Sequence, residues 1–307
     1  MHPFKLAANR RVAEAAGRRT PLSISAPPLI KRWVYCLSVS FMVMWWLRKY
    51  IALGKAGWAL IMEYRAQVVI WMMSSLLMVI MLLVWLSISS DGAVNGYSSA
   101  DFITYFMVGW IVRNLTAVWA SWELDFNIRE GRLSPMLLRP IHPVHNDVAV
   151  HWVEKLLRLG IVVPIAAIVL LLTPEVHLDF SLLNILIFLT SIIGAWLIVF
   201  LSDYLVGMLA FWTSQVGAFI NGFFGIRLVL SGAIAPVAMF PPAVQEVLRW
   251  SPFPYMLNFS VDVAMGRLTP EALLTGLIVQ WGWALFFICA AWAFWKIAVR
   301  SYSAVGA

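Results

Sequence analysis

Six apolar stretches, each long enough to cross a bilayer and joined by loops of alternating charge, leave this chain few ways to fold. A bilayer's hydrocarbon core is about 30 Å thick, so a crossing helix needs roughly 20 apolar residues. The stretches run from about Ala66 to Ile88, Asp101 to Trp122, Val148 to Leu172, Leu182 to Leu205, Phe211 to Ile234 and Leu273 to Val299. Inside lipid every backbone N–H and C=O must be satisfied by the chain, and a helix does so within one segment. Composition agrees, with 62% of residues hydrophobic and 12% charged, against about half and one quarter in water-soluble domains. The expected class is all-α, a polytopic membrane protein with six transmembrane helices.

Lysine and arginine placement orients the spans. Residues 1–65 hold eleven of them, and the loop after the second span, extended to Arg158, holds Arg129, Arg132, Arg139, Lys155 and Arg158. Lys296 and Arg300 close the sixth span. Residues 89–100 and 173–181 hold none, and carry Asp91, Glu175 and Asp179 instead. Both termini are therefore expected in the cytoplasm. The net charge of +7 sits on the inner loops and faces membrane lipid, so no nucleic-acid partner is expected.

Two regions are expected. Residues 1–46 form a cytoplasmic basic tail with a short apolar segment, Trp33 to Leu47, read as lying on the membrane or packed against helices. Residues 47–307 form the six-helix domain. From Leu47 to Arg65, charges at Arg48, Lys49, Lys55, Glu63 and Arg65 interleave with Trp46, Tyr50, Leu53, Trp58 and Leu60. That pattern suits an amphipathic elbow helix in the interface. Between spans five and six, about 235–270, Pro236, Pro241, Pro242, Pro252 and Pro254 forbid a continuous helix. Short re-entrant helices in the outer leaflet are expected there, with Ala243 to Trp250 as one. Cys36 and Cys289 both lie in apolar stretches, which predicts buried thiols and no disulfide.

No G-x-x-x-x-G-K-[ST] occurs, so no phosphate-binding loop is carried here. G-x-S-x-G, H-E-x-x-H and C-x-x-C are absent as well, and no catalytic, cofactor-binding or metal residues are assigned. His142, His145, Asp147 and His151 cluster in sequence but with nothing to fix a tetrahedral geometry, and are read as a hydrated loop. The loop from about 123 to 147 is more specific. Gly131 and Pro135 break the helix, Arg129, Glu130 and Arg132 are charged, and Leu133, Met136, Leu137 and Leu138 give a short apolar face. Such a helix can press its apolar side into a partner's groove.

The amphipathic helix, E-Y-R-A at Glu63 to Ala66, I-R-E-G-R-L-S-P-M-L-L-R-P-I after the second span, and S-G-A-I-A-P-V-A-M-F-P before a proline-rich segment form one series. In this order they resemble the permease subunits of bacterial type-two ABC exporters, six-span branch, from about Leu47 to the C-terminus. The resemblance implies export or efflux across the plasma (inner) membrane. It implies two permeases, identical or related, resting on two ATPase subunits. ATP and Mg would bind the ATPase, and no cofactor would bind this chain. It also implies that Ile128, Arg129, Glu130, Gly131, Arg132 and Leu133 form the coupling turn seated in the ATPase.

Charges inside the spans are the remaining signal. Arg113, beside Asn114, falls near the middle of span two, and Arg227 lies in span five about two turns after Asn221. An arginine at a helix centre costs about 2.5–3.5 kcal/mol on insertion scales. These four residues either line the pathway or its gate, or make structural contacts with Glu123, Asp203, backbone carbonyls or a second permease. Gly217, Ala218, Gly222 and Gly225 permit close helix packing in span five. Two other function classes are a secondary transporter, which would want repeats and midplane acids, and a membrane enzyme acting on lipid-linked substrates. Neither repeats nor midplane acids are found, and HPVHND is the only candidate for the enzyme.

Overall fold

The computed structural model describes residues 44, 47–59, 62–63, 76–173, 178 and 181–302. The chain divides into two compact units, Met1–Ile51 and Ala52–Ala307. The described part of the first, Met44 and residues 47–51, is helical, and every contact below lies within the second. The basic tail, nearly all of Trp33 to Leu47, residues 64–75 and Cys36 lie outside the described residues.

The helices are α1 (47–59), α2 (Leu77–Ile88), α3 (Ser99–Thr116), α4 (Ala120–Arg129), α5 (Leu133–Leu137), α6 (Val144–Leu172), α7 (Leu182–Gly207), α8 (Val216–Leu230), α9 (Pro242–Trp250), α10 (Asn258–Ala264) and α11 (Pro270–Ala298). No strand occurs among the described residues, where pairing is confined to an isolated bridge between Val94 and Tyr97. Three stretches are long and apolar enough to cross a membrane: Ser99–Arg129, Leu182–Phe211 and Pro270–Ser301. Leu77–Asp91 and Val216–Leu230 are shorter apolar helices. At 1.5 Å per residue α6 is about 43 Å long, but its first half carries Asp147, Glu154, Lys155 and Arg158.

Local sequence explains most helix ends. Ser98 and Asp101 form a capping box: the Asp101 N–H donates to Ser98 Oγ at 3.2 Å, and the Ser98 N–H to Asp101 Oδ2 at 2.8 Å. The Ala272 N–H donates to the Thr269 hydroxyl, with Pro270 opening α11. α7 lies at the centre, packed on α11, α4 and α10. Trp196, Phe200 and Tyr204, four residues apart on α7, stack in a column with centroids 5.3 and 6.0 Å apart, and Trp295 of α11 extends it at 6.0 Å. Outward faces are apolar too: Leu182 and Leu183 of α7 and Leu274, Ile278, Leu285 and Trp292 of α11 are exposed. Apolar patches of that extent need lipid or a partner to cover them. Cys289 is exposed on this outer face of α11, which corrects the expectation of a buried thiol there.

The expected second span is not continuous. α3 stops at Thr116, Ala117 turns to φ −56°, ψ 134°, and α4 begins at Ala120. Neither proline nor glycine lies at the break. Side chains from other helices hold it open instead. Lys155 Nζ of α6 donates to the Ala117 carbonyl at 3.1 Å. Asp203 Oδ2 of α7 accepts from the Ser121 N–H at 3.0 Å and the Ser121 hydroxyl at 2.9 Å. Two backbone groups at the break, the Ala117 carbonyl and the Ser121 N–H, are thus satisfied by ions. Gly207 lets α7 approach this closely, since a Cβ there would lie 2.7 Å from Ser121 Cα.

Between α8 and α11 the proline-rich segment forms short helices, as its composition predicts, with α9 at Pro242–Trp250 and α10 buried almost throughout. Asn258 ties the region together. Its Oδ1 accepts from Tyr105 Oη at 2.8 Å and the Val237 N–H at 2.9 Å, and its Nδ2 donates to Asp262 at 2.6 Å. Burial pushes the Asp262 carboxyl up from 3.8 to about 7, against the opposing pull of Arg267 and of the Asn258 hydrogen bond. A raised carboxyl gives stability that is complete below about pH 4 and is lost as pH rises through about 7. Asp262→Asn is therefore expected to flatten the pH dependence of the thermal midpoint between pH 4 and 7. An unchanged slope in that variant would contradict the burial assigned to Asp262.

Candidate functional site: a helix break lined by arginines

The break between α3 and α4 opens onto a cavity of about 150 Å³, lined by Arg113 and Asn114 of α3, Arg158 of α6, and Phe224 and Arg227 of α8. A second cavity of about 140 Å³ is lined by Ser121, Asp203, Asn221 and Arg227, and shares Val118, Trp119 and Phe224 with the first. The four span residues singled out in the sequence, Arg113, Asn114, Asn221 and Arg227, thus meet around the break although they come from two helices.

Their contacts divide them. Asn114 is buried, donates to the Trp110 carbonyl at 2.9 Å and accepts from Arg158 Nη1 at 3.4 Å. Arg158 also holds Glu154, with Nε 2.9 Å from Oε1. Arg227 Nη1 lies 3.6 Å from Asp203 Oδ1, an ion pair too long for a hydrogen bond, and that nitrogen is buried without a hydrogen-bond partner. Asp203 is thus the structural partner foreseen for one arginine, whereas Arg113 has no ion pair with Glu123. Arg113 sits 5.9 Å from the Phe224 ring, whose centroid is also 5.5 Å from Arg227 Cζ.

Lys155, Arg158 and Asp203 were not read as site residues from sequence. Glu154 and Arg158 stand four apart, a spacing that signals a helix pair. Which neighbour Lys155 and Asp203 reach is set by packing alone. In α8 a Cβ at Gly217 would meet the Trp122 ring at 3.5 Å, but one at Gly222 or Gly225 would meet nothing within 4 Å. Among the described residues nothing packs closely on Gly222 or Gly225.

The turn at residues 128–133, the coupling turn the resemblance implies, sits at the other end of α4. Ile128 is buried, Glu130 ends the helix and is exposed, and Gly131 takes φ +69°, a left-handed conformation that favours glycine. Arg129 pairs with Asp125 and donates to the Ser214 carbonyl at 3.3 Å, just before α8. Arg132 lies over the Phe126 ring at 4.6 Å. Leu133 is buried, but Leu138 is 88% exposed and Leu137 also faces outward. Ser134 Oγ lies 2.8 Å from Tyr302 Oη. His142 packs against Trp295 with tilted rings 4.5 Å apart, and burial together with nearby His145 pulls its imidazole below the usual range. His151 is buried 3.6 Å from Glu123 and 3.7 Å from Glu154. Among the described residues no group of His, Cys, Asp and Glu could hold a metal ion.

Among the described residues the chain is helical, with apolar outer faces and one broken helix clamped by ions, as suits a multi-pass membrane protein. The model of the ABC-2 family transporter protein matches residues 33–306, and the chain belongs to that family as an ABC-2 type permease subunit. No curated protein and no solved structure matches it.

Proposed function

We propose that this chain is the membrane half of an ATP-driven exporter in a bacterial plasma membrane. It crosses six times with both termini in the cytoplasm, α1 serves as the elbow helix, and the segment around α9 and α10 re-enters the outer leaflet. A second permease, identical or related, pairs with it. The open faces of Gly222 and Gly225, beside exposed Phe219 and Ile226, suit that seam. Two separate ATPase subunits supply ATP and Mg, and this chain hydrolyses nothing itself.

One observation carries the reading: the exposed turn is tied mechanically to the cavity. Arg129 joins the end of α4 to Ser214 at the start of α8, and α4 and α8 both border the arginine-lined break. Force on the turn therefore reaches Arg227 and Asn221 through two rigid helices. Closure of an ATPase dimer on Ile128 to Leu133 and the exposed leucines beyond would shift the balance between inward- and outward-facing states. Family membership favours this over a secondary transporter or a lipid-modifying enzyme.

The test is reconstitution of the full chain with its ATPase partner in proteoliposomes loaded with lipid extract. ATP is expected to drive movement, and an ATPase partner that cannot hydrolyse is expected to stop it. Movement that continues with the dead partner would overturn the reading.

A further inference from the structure

Three guanidinium groups from three helices, those of Arg113, Arg158 and Arg227, line one cavity at the helix break. The acids nearby are already engaged. Glu154 is held by Arg158. Asp203 Oδ2 accepts both hydrogen bonds from Ser121, and its Oδ1 faces Arg227 at 3.6 Å without a hydrogen bond. Arg227 Nη1 therefore remains a buried donor without an acceptor. Among the described residues Arg113 has no acidic partner at all, and its charge rests against the ring of Phe224 that Arg227 also faces. Lys155 adds a further cation at the Ala117 carbonyl. A cluster this rich in cations, closed in by low-dielectric walls, needs an anion, and the planar guanidinium fork suits an oxyanion best. The rest of the wall, Val199, Leu228, Met256 and Leu257, is apolar.

We propose that this cavity binds an oxyanion, the chemistry shared by a phospholipid headgroup and free phosphate, with Arg113 and Arg227 as its counter-charges. The apolar wall favours the amphiphile. As a statement about transported substrate this rests on the permease reading, but binding itself needs no ATPase.

The test uses the full-length chain in a neutral detergent, with the thermal unfolding midpoint followed during titration. The probes are dihexanoyl phosphatidylglycerol, dihexanoyl phosphatidylcholine and inorganic phosphate. Saturable stabilisation by phosphatidylglycerol, absent with phosphatidylcholine and weakened at least tenfold in Arg113→Gln, is expected. Arg113→Lys should retain part of the affinity, and Arg249→Gln, outside the cavity, all of it. Without ligand, Arg113→Gln should not lower the midpoint, because it removes a half-buried cation that has no acidic partner among the described residues. A merely structural arginine would lower it. If inorganic phosphate alone matches phosphatidylglycerol, the oxyanion site stands and its source is a free anion. No saturable response in the wild-type chain, an equal response to phosphatidylcholine, or unchanged affinity in Arg113→Gln overturns the proposal. Failure here alongside ATP-driven transport removes the substrate class and leaves the permease reading. Anion binding without ATP-driven transport does the reverse.

Discussion

Asp203→Leu is expected to lower the stability of the purified chain by about 3–5 kcal/mol, the cost of removing one partner of a buried pair. The Asp203 side chain is 7% exposed and does two jobs at once. It accepts the Ser121 N–H and hydroxyl, which caps the start of α4 inside the protein, and its other oxygen lies 3.6 Å from Arg227 Nη1 as that arginine's ion-pair partner, without a hydrogen bond. Leucine keeps the branching at Cγ, is somewhat larger, and abolishes both. Two buried groups are then left without partners, and each unsatisfied group costs about 1–3 kcal/mol, more if charged. The double variant Asp203→Leu, Arg227→Met separates the contributions. It removes the stranded cation and should recover part of the loss, while the uncapped Ser121 N–H keeps the rest. Thermal unfolding in detergent, followed by tryptophan fluorescence, reads both. A single-variant loss below about 1 kcal/mol would mean that the break does not depend on this carboxylate.

Leu138→Asp should have the opposite profile, leaving the isolated chain as stable as before and disabling the assembled transporter. Leu138 is 88% exposed, so the substitution removes almost no intrachain packing. A leucine that fills an apolar pocket on a partner is a different matter, because a carboxylate there must be desolvated without compensation. Loss of ATPase recruitment by at least tenfold is expected, measured by co-purification. Glu130→Ala and Arg132→Ala together should weaken it further, since both side chains are exposed. Arg129 is less suited to this test. It neutralises buried Asp125 and reaches Ser214, so its removal also disturbs the fold.

How far the sequence could be read follows from the range of the interactions involved. Helical class, the capping of α3 by Ser98 and Asp101, and the short helices around Pro242 are local, written within a few residues of where they act. The break in the second span is not. Ala117, Val118 and Trp119 form an ordinary helical sequence, and the groups that hold them out of the helix lie 38 and 82 residues away. Arg113 and Arg227 stood out in the sequence because a cation in an apolar run is costly wherever it points. Arg158 did not, because it reads equally well as a cytoplasmic loop charge. The direction of the leucines after Gly131 also needed the fold. Their apolar pattern suggests a packed face, yet Leu133 turns inward and Leu138 outward.

The most direct measurement is cross-linking of a single cysteine at position 138, with Cys36 and Cys289 replaced by serine, in membranes containing the ATPase partner. The account predicts a cross-link to the ATPase whose yield changes when ATP binds, and labelling by a membrane-impermeant maleimide only in inverted vesicles. Labelling from the outer face of intact cells, with no ATPase adduct, would contradict it.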